Sequence, residues 1–158
     1  MSSSRSSTSS PPEYIIFISG SREWNRPDVI HDALASVVIP QGLFPVLIHG
    51  DCKSGADQMA KQSSIKLGWK NRPYTITSEM WRTQGKSAGP RRNATMIQTE
   101  KPHVILTFCK NNSPGTSNAN QLSAAYCSQL TTRCVMFKKY QDNDGDGNDI
   151  SIKIVKKQ

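Results

Sequence analysis

The chain is poor in the features that announce metal, disulfide or membrane chemistry. Its four cysteines, Cys52, Cys109, Cys127 and Cys134, form no Cys-x-x-Cys pair, and no histidine stands beside one at metal-ligand spacing. Thiols scattered in this way read as free, buried or half-buried cysteines of a reducing compartment. No metal and no cofactor is expected. No apolar run approaches the roughly 18 residues that a membrane span needs, so no membrane partner is expected either. The opening "MSSSRSSTSSPP" lacks the apolar middle of a secretory signal. Its acid-free, Arg-and-Ser character is faintly that of a transit peptide, but it is short. It reads as a disordered Ser-rich tail over 1–13. Together these absences point to an intracellular, cytoplasmic protein. Internal repeats are also missing, and 158 residues suit one domain with one core, placed at 14–158. Acidic residues are scarce: 12 Asp and Glu stand against 20 Lys and Arg. That excess favours anionic partners such as nucleotides, nucleic acid or acidic surfaces, without choosing among them.

What is present is an alternation of short apolar runs and helical spacing. "EYIIFISG", "PVLIHG", "RPYTIT", "HVILTFC" and "RCVMFKK" read as strands. Between them, "RPDVIHDALASVV", "GADQMAKQSSIKLG", "GPRRNATMIQTEK" and "TSNANQLSAAYCSQL" carry helical periodicity. A last strand, "ISIKIV", follows an acidic turn. The pattern predicts an α/β, Rossmann-like three-layer sandwich. Its sheet should be mostly parallel, with about five strands plus a C-terminal edge strand.

In open α/β sheets, ligands bind beyond the carboxyl ends of the strands. Three strand-to-helix junctions here are rich in small residues: "GSRE", "GDCKSGAD" and "NNSPGTSN". A fourth patch, "GKSAGPRRN", opens a helix. All four are expected at one edge of the sheet. Each also has a plain structural account. Ser54 and Asp57 fit a capping box, and Gly50 and Gly55 could simply permit a tight turn. Capping does not explain Lys53, a cation at the positive end of a helix dipole, where an anion would reverse the sign. Arg91 and Arg92 raise the same question in the first turn of their helix. Either they reach into water or pair with Glu100, or they hold a phosphate together with the helix amides. Arg22 could be a surface ion pair beside Glu23 or an anion clamp. Around Pro114 and Gly115, Ser113 or Thr116 could act as a cap, while Ser117, Asn118 and Asn120 add polar donors suited to phosphate or ribose.

The motifs "ISGSREW", "IHGDCKSGADQMA", Trp81, "GKSAGPRRNATM" and "NNSPGTSNANQLSAAY" resemble, in that order, the YspA-like branch of the SLOG superfamily over about residues 14–137. The resemblance implies a domain that binds nucleotides or nucleotide-derived ligands at its sheet edge. The ligand-binding set would be Gly20, Ser21, Arg22, Gly50, Lys53, Gly55, Asp57, Arg91, Arg92, Asn93, Gly115, Thr116, Ser117 and Asn118. The related Lonely Guy phosphoribohydrolases carry Arg-Lys-x-x-Met, similar to the stretch from Arg92 to Met96. Arg92 would therefore inherit a ligand-facing role. Their second motif is matched only at Gly115 and Thr116, and its glutamate is absent here. Asp57 is the weak candidate for a catalytic carboxylate, with Glu79 behind it.

Trp81 could stack on a base or anchor a core. "DNDGDG", from Asp142 to Gly147, starts like a calcium loop, but Lys153 stands where the bidentate glutamate belongs, so a hairpin turn is expected. Three functions follow in order: binding or sensing of a nucleotide-like small molecule, N-glycosidic hydrolysis of nucleoside monophosphates, and nucleic-acid binding of the DNA-processing type. The third is not favoured, for want of a basic stripe interleaved with aromatics. A homodimer is left open.

Overall fold

Apolar residues crowded into a short strand serve two faces at once. In the computed structural model, which describes residues 11–111, 113–143 and 150–158, β1 (Glu13–Gly20) does this with alternate residues. Ile16 and Ile18 pack into one apolar cluster, and Ile15 and Phe17 into the other. The same alternation recurs in β2 (Phe44–His49) and β4 (Val104–Lys110). With β3 (Lys70–Pro73), β5 (Met136–Asp142) and β6 (Ile150–Lys157), they form one sheet among the described residues, in the order β3-β2-β1-β4-β5-β6. All neighbours pair in parallel except β5 and β6, which are antiparallel.

Helices cover both faces. On one side lie α1 (Pro27–Ala35) and α2 (Ala56–Lys66), through Ile30, Leu34, Ala56 and Ala60. On the other lie α4 (Ala88–Glu100) and α5 (Pro114–Cys127), through Met96, Ile97, Ala119 and Tyr126. The expected α/β sandwich with its C-terminal edge strand is therefore the architecture found. No helix among the described residues is long and apolar enough to cross a membrane.

Local boundaries differ from the sequence expectation in instructive ways. The third strand lies at Lys70–Pro73, before most of "RPYTIT", because an edge strand needs no continuous apolar run. A short helix, α3 (Ser78–Gln84), carries Trp81 and is capped by Thr77, whose Oγ1 accepts from the Met80 amide at 3.1 Å. A 3₁₀ turn, Gly85–Ser87, runs directly into α4. Arg91 and Arg92 are thus the fourth and fifth residues of α4, beyond its first turn. Val38 lies past the end of α1 and is exposed. Most of the expected tail (1–10) and most of the expected acidic turn (144–147) lie outside the described residues.

Parallel order places the strand ends that matter. The chain steps outward from β1 to β2 and β3, then crosses back to β4 on the other side of β1. The switch therefore falls between β1 and β4, where a crevice opens at their carboxyl ends.

Candidate functional site

Gly20 ends β1 at this crevice. A Cβ there would collide with Ala56 at the start of α2 and with the Phe108 carbonyl of β4. Ser21 then locks the junction. Its hydroxyl accepts from the Lys110 amide at 2.7 Å and donates to the Lys110 carbonyl at 3.1 Å. Its carbonyl accepts from the amides of Trp24 and Ala56. Ser21 is fully buried and serves as a structural tie.

The loop from β2 to α2 is built around a carboxylate. Gly55 caps α2 with φ 76°, a conformation that glycine adopts without strain, and a side chain there would meet the Ser21 carbonyl. The expected capping box is not formed: the Ser54 hydroxyl donates to the Arg22 carbonyl instead. Asp57 turns back under the loop, and its Oδ2 accepts from the amides of Gly50 (3.2 Å) and Cys52 (3.4 Å). Its Oδ1 has no hydrogen-bond partner, although the residue is only 5% exposed. Burial pushes the Asp57 carboxyl above the usual range, against the pull of His49 and Arg92. Burial likewise lowers His49. The Asp51 amide donates to His49 Nδ1 at 3.0 Å, which leaves Nε2 as the proton carrier, donating to Asn71 Oδ1 at 3.1 Å. Nothing in the sequence pattern pointed to Asn71.

Arg92 leans onto the same loop. Its Nη1 donates to the Gly50 carbonyl at 3.0 Å and its Nε to Asn93 Oδ1 at 3.0 Å. Asn93 Nδ2 passes the link on to Asn118 Oδ1 at 3.1 Å, at the start of α5. Gly50 makes this possible, because a Cβ would occupy the space of the guanidinium. Gly50→Ala is therefore expected to leave stability within about 1 kcal/mol, since the flexible end of Arg92 can swing aside. The affinity for any anion that Arg92 holds should fall with it, and calorimetry should show no further fall when Gly50→Ala is added to Arg92→Ala.

These elements enclose a cleft of about 500 Å³. Gly20, Arg22, Asp57, Arg92, Asn93, Gly115 and Asn118 line it, joined by Trp81 and Lys86. An adjoining cavity of about 290 Å³ shares Arg22, Cys52, Ile76, Trp81 and Arg92, and adds Gly50 and Lys53. Five of the expected ligand residues line neither of these two cavities, Gly55 at the cap of α2 among them, and Glu79 also stands apart. Arg91 is exposed beside Tyr74, Met80 and Gln84, because Met96 and Ile97 dock α4 with the Arg92 side toward the cleft. Thr116 is buried and its hydroxyl donates to Ser113 Oγ, and Ser21 is the tie described above. Ser117 is exposed and does not line the cleft. Glu79 pairs with Arg82 on the exposed face of α3.

Trp81 is 45% exposed at the mouth of both cavities, and the tryptophan in the core is Trp24, edge-on to Phe108. Lys86 belongs to "GKSAGPRRN", and a lysine just ahead of a helix start is the signal in the sequence that marks it.

No family model matches the chain. The chain is similar to the Gene 61 protein of Mycobacterium phage D29, with 34% identity over 107 residues, which is 64% of this chain and 81% of the phage protein. With that identity over that share of the phage protein, the chain belongs to the family of the phage Gene 61 protein.

Proposed function

We propose that the cleft binds a nucleotide or nucleotide-derived small molecule, such as a nucleoside phosphate or an ADP-ribose-like ligand. The observation that carries this reading is the unpartnered Oδ1 of Asp57, buried at the cleft wall. A buried acceptor without a donor costs about 1–3 kcal/mol, so its retention suits a ligand that brings the donor. A ribose hydroxyl would do so. Arg22, Lys86 and Arg92 supply the positive charge that a phosphate needs, and the half-exposed Trp81 offers a face to a base. The resemblance of the motifs to the YspA-like branch of the SLOG superfamily supports the same ligand class.

The test is thermal shift against AMP, ADP, ADP-ribose and related nucleotides, followed by calorimetry on the best. Asp57→Asn should separate function from stability. A carboxyl whose folded pKa is raised binds its proton more tightly when folded. Its stability cost therefore grows as pH rises from its ordinary value of 3.8 toward the folded pKa, and persists at neutral pH. Asp57→Asn should raise the Tm of the free protein at pH 7 while weakening the nucleotide about tenfold or more. A panel in which no nucleotide raises the Tm would sink the reading.

Hydrolysis of an N-glycosidic bond is the second reading, because the raised Asp57 carboxyl is an acid placed in the cleft. Chromatography of AMP incubated with the protein distinguishes the two. Binding alone predicts no release of base at enzymatic rates, whereas hydrolysis predicts release that Asp57→Asn abolishes.

A further inference from the structure

Two of the cysteines meet on the side of the sheet covered by α4 and α5. Cys127 is the last residue of α5, Cys134 lies just before β5, and their sulfur atoms are 2.6 Å apart. Both are buried, in the apolar cluster that holds Ile97, Tyr126 and Phe137. At that distance the two sulfurs are in direct contact, and little movement separates them from a bond.

Their protons are unequally held. Cys127 donates to Cys134, which pushes the Cys127 thiol far up and holds Cys134 below the usual thiol range. The Lys156 ammonium donates to the Cys127 carbonyl at 3.1 Å, so a positive charge stands beside the pair. A thiol whose pKa is lowered, in contact with a second thiol, is the pairing that reversible cysteine oxidation uses. The two cysteines are joined by the short connection 128–133, in which Leu130 is fully exposed.

We propose that Cys127 and Cys134 form a reversible redox site, closed to an intramolecular disulfide by a small peroxide. The Cys134 thiolate attacks one peroxide oxygen. The O–O bond breaks, hydroxide leaves, and Cys134 becomes a sulfenic acid. The Cys127 sulfur then attacks the Cys134 sulfur and the S–O bond breaks. The departing hydroxyl takes up the Cys127 proton and leaves as water, and the hydroxide of the first step takes up from solvent the proton that Cys134 had given up. In sum, two thiols and one hydrogen peroxide give one disulfide and two waters, and a small dithiol reverses the change. The bond ties the far end of α5 to β5, while the near end of α5 carries Gly115 and Asn118 at the cleft.

The experiment treats the reduced full-length chain with a small excess of hydrogen peroxide. Remaining thiols are then alkylated and the protein is digested with trypsin without reductant. Trypsin cuts after Arg133, between the two cysteines, so the bond leaves two peptides linked and lighter by two hydrogens than their sum. The linked pair should vanish in Cys127→Ser and Cys134→Ser, persist in Cys52→Ser, and disappear on reduction. Closing so short a loop should raise the Tm by about 5 °C. Alkylation of all four cysteines after peroxide would overturn the proposal. So would Cys134 driven to sulfinic acid with Cys127 free, or linkage only between separate chains. Should the serine variants fail to fold, the peptide map of the unaltered chain decides alone.

Discussion

Arg92→Ala is expected to weaken nucleotide binding by about 10- to 150-fold, the range spanned by loss of a charge-assisted contact. The guanidinium stands at the junction of both cavities, beside Asp57 and 3.0 Å from the Gly50 carbonyl. A phosphate placed there would meet a fork already oriented by Gly50 and Asn93. Arg92→Lys should restore only part of the affinity, since an ammonium cannot reproduce the planar fork. The measurement is calorimetric titration with the nucleotide that gives the largest thermal shift. Undiminished affinity in Arg92→Ala would remove α4 from the site.

Stability of the free protein should fall slightly in the same variant, by about 1 kcal/mol, because two hydrogen bonds are lost. An arginine in a first helical turn, as the sequence suggested, would oppose the dipole, and its removal would change stability little or raise it slightly. Arg92 lies beyond that turn and has partners of its own.

Arg72→Met is expected to destabilise the fold by about 3–5 kcal/mol, since it strands a buried carboxylate. Glu100 ends α4 with its side chain 8% exposed. It accepts from Arg72 Nε and Nη2, both at 2.7 Å, and from the Tyr74 hydroxyl at 2.6 Å. Arg72 also reaches Glu13 at 2.9 Å, so one guanidinium ties β3, β1 and α4 together. The double variant Arg72→Met/Glu100→Leu should recover much of the loss, because no charge is then left buried. Thermal unfolding of the single and double variants checks both statements. Equal Tm values for Arg72→Met and the unaltered chain would mean the network contributes nothing.

The same network sets an acid limit. Hydrogen bonding to Arg72 holds Glu13 below its usual value of 4.5. Burial alone would raise Glu100, but the bonds from Arg72 and Tyr74 outweigh it and leave the carboxyl lowered. Burial and the Glu100 bond push the Tyr74 hydroxyl up to about 12. Carboxyls lowered in the folded state stabilise it fully above their ordinary pKa. That contribution is lost as pH falls below 4.5 and through the folded values. Urea unfolding from pH 7 to pH 3 should show this decline, and Arg72→Met should flatten it.

Much of the architecture was legible from local pattern. In "EYIIFISG", Ile15 and Phe17 alternate with Ile16 and Ile18, and a strand apolar on both faces belongs between two helical layers. Small residues after β1, β2 and β4 marked the strand ends, and the parallel order gathered them at one edge. These features depend on neighbours a few residues apart, which a sequence displays directly. The direction of a single side chain does not. Arg91 and Arg92 are adjacent and chemically identical, and only the docking of α4 through Met96 and Ile97 turns one toward the cleft and the other to solvent. Asp57 fits a capping pattern in sequence, yet the fold of the loop aims it at the Gly50 and Cys52 amides and leaves one oxygen buried without a partner. Arg72 finds Glu100 from 28 residues away and Glu13 from 59, and Ser21 finds Lys110 from 89. Periodicity sets which face of an element is buried. Strand order and helix docking set what each polar group meets there, and those depend on the whole chain packing at once.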